Sequence, residues 1–226
     1  MSFSGWSLVF DLDGTLVDTA PDLAGAMNAV LAEQGRRTLP VSDVRHMVGR
    51  GARILIETGF AATGAPVTPY ESEQHMRRFL EHYGQNLTTG SRLFEGVAET
   101  LTALKAGGAN LAVCTNKPHA LTIRLLEGLD LLAHFPVILG ADALPFRKPD
   151  PRHFTECVAR LGGAPNRAIL IGDSETDLQT ARNAGAPIVL VDYGYTQTPA
   201  KDLGGDALIS RFADLPGVLR TLVSGG

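Results

Sequence analysis

The chain has 226 residues, 44% hydrophobic and 19% charged, with a formal net charge of −4. This is a globular balance with enough apolar material for a substantial core, and its mixed charges lack the basic stripe of a nucleic-acid-binding surface. No apolar run reaches the roughly 20 residues that span a bilayer. The two cysteines, Cys114 and Cys157, form neither a disulfide framework nor a CxxC metal knuckle, and Cys114 reads as a buried core thiol. The opening residues, MSFSGWSLVFDLDG, have no basic segment followed by an apolar one. A reduced, cytoplasmic setting is therefore expected, with no nucleic-acid or membrane partner. Monomer and homodimer both stay open.

In chain order, Ser7–Phe10 is the first of five short apolar runs. The others are Leu111–Cys114, Val137–Leu139, Ala168–Ile171 and Ile188–Val191. Such near-continuous apolar strands suit a parallel sheet buried on both faces. From the second run onward, helical patterns separate the strands, which predicts an α/β fold with a Rossmann-like parallel sheet and right-handed crossovers. The stretch between the first two runs is too long for one crossover and reads as helices only. One helix, capped by Thr19 or Asp18, enters through Pro21 and Asp22 and stops at Gly35. A second covers Ala52–Thr58 after the Val48-Gly49-Arg50-Gly51 turn, and a third runs from Pro69 to Tyr83. The expected division is a core of residues 1–17 and 86–226 with an all-helical cap, 18–85, inserted after the first strand. The alternative is one domain with extra helices.

The segment Phe10-Asp11-Leu12-Asp13-Gly14-Thr15 carries the strongest chemical signal. Residues i and i+2 of an extended segment point the same way, so Asp11 and Asp13 can share a pocket. They lie at the C-terminal end of a strand, where parallel α/β sheets bind ligands. Two carboxylates there repel, so a cation or a proton is required nearby. Gly14 permits a sharp turn and lets its amide approach an anion. Three further signals close later strands: Thr115-Asn116, Lys148-Pro149, and Gly172-Asp173-Ser174-Glu175-Thr176-Asp177. Taken singly, Thr115 reads as a helix cap, Lys148 as a solvated lysine, Asp173 as a cap and Asp177 as a first-turn acid. Taken in this order and spacing, they converge on one edge of the sheet.

These four elements resemble those of the haloacid dehalogenase superfamily. The wording DLDGTLVDTAPDL, VGRGA, TNKP, RKPDP and GDSETD is similar to its phosphoglycolate phosphatase group. The resemblance implies a magnesium-dependent phosphatase in which Asp11 attacks phosphorus and forms an aspartyl-phosphate. It implies Mg²⁺ held by Asp11, Asp173 and the backbone carbonyl of Asp13, with Asp177 one helical turn beyond Asp173 holding a metal-bound water or an outer group. Lys148 supplies fixed positive charge. Thr115, Asn116 and the amides of Leu12 to Gly14 hold phosphate oxygens, and Asp13 serves as general acid and then base. The substrate is a small phosphorylated metabolite, 2-phosphoglycolate first. Arg50, presented by a glycine-flanked turn, is expected to meet its carboxylate.

Other phosphatase substrates remain open on the same residues: a phosphosugar, an amino-sugar phosphate or pyrophosphate. A phosphomutase is disfavoured because no lysine precedes Lys105, so the cap has none for a second phosphate. A non-enzymatic phosphate-binding module is disfavoured because none of the acids, nor the lysine, is missing. The histidines show no HxxxH pair, and His75 and His82, seven apart on a predicted helix, read as solvent-facing.

Overall fold

Every side chain of Ser7–Phe10 (β1) is buried, as in a strand covered on both faces. The computed structural model describes residues 2–224 and places β1 at the centre of the main sheet. A two-residue strand, Val17–Asp18 (β2), leads into four helices: Ala20–Glu33 (α1), Val41–Arg45 (α2), Ala52–Thr63 (α3) and Pro69–Gln85 (α4). The chain returns through Arg92–Leu93 (β3) and continues as Val97–Ala106 (α5), Asn110–Cys114 (β4), His119–Gly128 (α6) and Val137–Leu139 (β5). Pro151–Arg160 (α7), Ala168–Gly172 (β6), Glu175–Ala184 (α8) and Ile188–Val191 (β7) follow. Ala200–Leu203 (α9), Ala207–Ile209 (β8) and Leu215–Ser224 (α10) complete the order.

The main sheet runs β5-β4-β1-β6-β7-β8, and all its pairings are parallel. The five apolar runs expected to be strands are all in it. The sixth, β8, was not expected: it has three residues, lies at the edge and buries only Ile209. With only one buried residue in three, β8 leaves no apolar run to read, whereas β5, of the same length at the opposite edge, buries Val137 and Leu139. The chain winds outward from β1 through β4 and β5, then crosses back to β6 on β1's other side. The crevice between β1 and β6 is therefore the topological switch point, where such sheets bind ligands.

Register explains the convergence of the chemical residues. Phe10 pairs with Val113 of β4 and with Ile171 of β6. Asp11 is thus level with Cys114 and Gly172, and Thr115 and Asp173 follow one residue beyond, at the same rim.

The inserted helices carry their own apolar interior. Met27, Val30 and Leu31 of α1 join Leu55, Ile56 and Phe60 of α3 and Phe79 of α4 in a buried cluster continuous with the sheet's own core. Thr68 starts α4 with a reciprocal capping box to Glu71, and Pro69 takes the first turn. Helix α3 runs five residues beyond the expected Thr58, and α2 was not foreseen because five residues hold too little of a 3.6-residue period. Thr19 is the N-cap residue of α1, but its hydroxyl donates to Asp13 rather than capping. Nor do the two histidines of α4 simply face solvent: His75 stacks on Phe60 with ring centroids 4.4 Å apart, and His82 lies 2.7 Å from Glu33.

Entry and exit of the helical stretch meet. The strands β2 and β3 pair antiparallel, Val17 with Leu93 and Asp18 with Arg92. Beside them, buried Asp22 accepts from Gly90 N (2.6 Å), Ser91 N (2.8 Å) and Ser91 Oγ (2.7 Å). Removing that carboxylate strands two backbone donors. Asp22→Ala is expected to cost about 2–4 kcal/mol and lower Tm by roughly 5–15 °C in a thermal melt, whereas an unchanged Tm would remove the clamp's structural role.

Candidate active site

Asp11, Asp173 and Asp177 are all buried, and each offers a carboxylate oxygen within 4.8 Å of the others. Lys148 Nζ lies among them, 2.9 Å from Asp11 Oδ1 and 2.6 Å from Asp177 Oδ1. Three carboxylates against one ammonium leave a buried excess of negative charge. Burial is the main cause pushing the Asp11 carboxyl up to about 6, and the neighbouring acids add to it, against the pull of Lys148. Asp173 is driven well above the ordinary aspartate value by burial first, then by Asp177 and Asp11. Lys148 is raised, because Asp11 and Asp177 together outweigh the burial that would lower it. Asp177 is the nearer acid and takes the hydrogen bond, while the 2.9 Å approach to Asp11 is out of line for one, so Asp11 Oδ1 has no hydrogen-bond partner.

The rest of the cluster is held by saturated contacts. Ser174, not Asp173, is the N-cap of α8 and forms a capping box with Asp177. Asp177 Oδ2 accepts from Ser174 Oγ (2.6 Å), Ser174 N (3.2 Å) and Asp173 N (3.3 Å), while Oδ1 holds Lys148. With both oxygens engaged, Asp177 fixes the lysine and the turn. Asp173 is aimed into the crevice by Thr15 Oγ1 at 3.2 Å and Tyr195 N at 2.7 Å. A Cβ on Gly14, whose φ is +84°, would come within 2.4 Å of Asp173 Oδ2, and one on Gly194 within 2.2 Å of Asp173 Cβ. Only glycines leave room for this carboxylate. The lysine's backbone is pinned too: Lys148 N donates to His153 Nδ1 (3.2 Å), and Lys148 O accepts from Asn116 Nδ2 (3.1 Å).

An Asp11 oxygen that has no hydrogen bond, beside Asp173 in an all-oxygen donor set, fits a hard divalent cation. The Asp13 side chain is not part of that cluster. It turns toward the inserted helices, accepting from Thr19 Oγ1 (2.8 Å) and from Lys117 Nζ (3.1 Å).

The anion-binding expectations divide. Gly14 N donates to Val17 O at 2.9 Å, because the turn closes on itself there, so this amide is not available to a ligand. Among the described residues, the amides of Leu12, Asp13 and Asn116 donate to no protein acceptor. Thr115 is not a helix cap; its Oγ1 accepts from Lys117 N at 3.3 Å, which leaves its own proton to donate. Arg50 is exposed and lines a neighbouring cleft with His46, Ser174 and Glu175, apart from the cavity that holds Asp11 and Asp13.

The sequence reading missed Lys117, Tyr83 and Tyr195. Lys117 is buried, with Nζ 2.5 Å from Tyr83 Oη of α4 and 4.3 Å above that ring. Burial lowers its pKa, against the pull of Asp13. Tyr195 Oη accepts from Thr19 N (2.7 Å) and Ala20 N (3.0 Å) and donates to Asp18 Oδ1 (2.6 Å), thereby completing the start of α1. Lys117 was legible in principle: it is two residues from Thr115, in the same strand-end loop.

A model of haloacid dehalogenase-like hydrolases matches residues 8–191, from β1 through the end of β7. The chain belongs to the haloacid dehalogenase-like hydrolases. Within this family it is 48% identical over 221 residues to a phosphoglycolate phosphatase of Caulobacter vibrioides, covering 98% of this chain and 93% of that one. It is 43% identical over 205 residues to a phosphoglycolate phosphatase of Mesorhizobium japonicum, covering 91% and 90%. The crystal structure of a predicted phosphoglycolate phosphatase from Haemophilus somnus superposes with a TM-score of 0.90 at 33% identity, covering 97% and 99%. This haloacid dehalogenase-like chain is accordingly an enzyme of the phosphatase type, an α/β core carrying inserted helices. No helix among its described residues is long and apolar enough to cross a membrane.

Proposed function

We propose that this phosphatase hydrolyses 2-phosphoglycolate through a phosphoryl intermediate on Asp11, with Mg²⁺ as its metal. The observation that carries the reading is the division of labour at the rim. Asp11 stands between a cationic, carboxylate-lined side, formed by Lys148, Asp173 and Asp177, and Asp13, which turns away toward the helices. The relatives' names support the substrate.

Asp11 and Asp173, with the Asp13 carbonyl, would hold the metal, which when bound offsets the repulsion between an anionic nucleophile and an anionic phosphate. A carboxylate oxygen of Asp11 attacks phosphorus. Lys148, fixed by Asp177, contributes permanent positive charge beside that oxygen. Thr115 Oγ1 and the amides of Leu12, Asp13 and Asn116 orient the phosphate oxygens. The ester P–O bond breaks, and the leaving alkoxide takes a proton from Asp13. The Asp13 carboxylate then takes a proton from water, whose oxygen attacks phosphorus and releases Asp11 and phosphate. The segment 18–85 acts as a cap that excludes bulk water while the intermediate exists.

A ranking of kcat/KM over 2-phosphoglycolate, a phosphosugar, an amino-sugar phosphate and pyrophosphate, with and without Mg²⁺, tests the substrate. 2-Phosphoglycolate is expected first, and a higher rank for any other ester would replace it. Asp13→Asn is expected to lower turnover by about 10²–10⁴-fold while metal binding, read as a Mg²⁺-dependent rise in Tm, persists. Near-normal turnover in that variant would remove Asp13 from the acid/base role.

A further inference from the structure

The cavity that opens on Asp11 and Asp13 has two unlike walls. The core contributes Thr115, Asn116 and Lys117, and the cap contributes apolar side chains, Leu23, Leu55, Phe79 and Leu80 among them. Among the described residues, Lys117 is the only basic one lining it. The hydroxyls of a polyhydroxylated leaving group would face this hydrocarbon without partners.

We propose that Lys117 is the specificity residue of this site and binds the carboxylate of the substrate's two-carbon leaving group, with Tyr83 positioning the ammonium. This rests on the 2-phosphoglycolate reading and deepens it. An ammonium has three donors. One reaches the Asp13 carboxylate, forked at 3.1 Å to Oδ1 and 3.4 Å to Oδ2, one reaches Tyr83 Oη (2.5 Å), and the third remains for a ligand. The same ammonium touches Asp13, the group assigned to protonate the leaving oxygen. A carboxylate one carbon from that oxygen would therefore meet Lys117 while the oxygen meets Asp13. The surrounding apolar cap strengthens the pairing by excluding water. The cation comes from the core loop after β4 and not from the cap, which has no lysine.

The test compares kcat/KM for 2-phosphoglycolate with that for 2-phosphoglycolamide, its neutral amide isostere, in the wild type and in Lys117→Met. The wild type is expected to prefer the carboxylate. In Lys117→Met that preference should fall about 10- to 100-fold, chiefly through KM for the carboxylated ester, whatever the loss common to both substrates. If Lys117 only oriented Asp13, both substrates would lose kcat equally and the ratio would hold; that result overturns the inference. Should Lys117→Met not fold, Tyr83→Phe carries the test. A fall in the ratio of about threefold or more supports the assignment, and an unchanged ratio overturns it. A wild type without any preference would instead remove the 2-phosphoglycolate reading, and this inference with it.

Discussion

Asp11→Asn is expected to reduce turnover by about 10⁴-fold or more and, in metal-free protein, to abolish a loss of stability that the wild type shows as pH rises. An amide is too weak a nucleophile for phosphorus, which accounts for the kinetic effect. The second effect follows from the carboxyl's setting. Its pKa goes from the ordinary 3.8 to about 6 in the folded protein, chiefly through burial. A carboxyl raised on folding contributes stability that is fully present below its unfolded value. That stability fades as pH rises through about 6. A shift of that size is worth on the order of 3 kcal/mol at 1.36 kcal/mol per unit. Chelated wild-type protein should therefore lose Tm relative to Asp11→Asn between pH 4 and 7. Parallel melting curves for the two proteins across that range would show that Asp11 is not the strained acid.

Adding Mg²⁺ to chelated wild type is expected to restore turnover and raise Tm. The cation fills a place where three buried carboxylates face one ammonium. Saturation at about 100 times Kd stabilises by about 2.7 kcal/mol. At 2–4 °C per kcal/mol for a chain of this size, that is a rise of roughly 5–10 °C. Asp173→Asn should lose both the activity and the Mg²⁺-dependent rise, because Thr15 and Tyr195 hold that carboxylate toward Asp11. An equal rise in Asp173→Asn would place the cation elsewhere. Asp177→Asn should behave differently, lowering Tm with or without Mg²⁺, since its two oxygens hold Lys148 and cap α8.

What the sequence disclosed depended on how local the signal was. Five strands of the main sheet announce themselves because they are mostly buried, and β1, β5 and β7 keep the expected bounds. Asp11, Thr115 and Asp173 were findable because each directly follows such a strand, and parallel register brings strand ends level, while Lys148 stands in the loop between β5 and α7. Contacts that join distant segments were not legible. Nothing near Lys117 in the sequence indicates Tyr83, which is 34 residues away. Nothing near Thr19 indicates the hydroxyl of Tyr195. Which cleft Arg50 borders was not legible for the same reason: for a guanidinium between two glycines it depends on how the helices sit on the sheet. Gly14 misled because its amide, free in an extended chain, closes its own turn.

The β2–β3 pairing has an architectural consequence. Because Val17 lies beside Leu93 and Asp18 beside Arg92, the helical insertion leaves and rejoins the sheet at one doorway. A different lid of any length could be grafted between those two short rungs without displacing a strand of the main sheet. The sheet with its hydrolytic apparatus and the helices that cover it are thus joined at a seam two residues wide on each side.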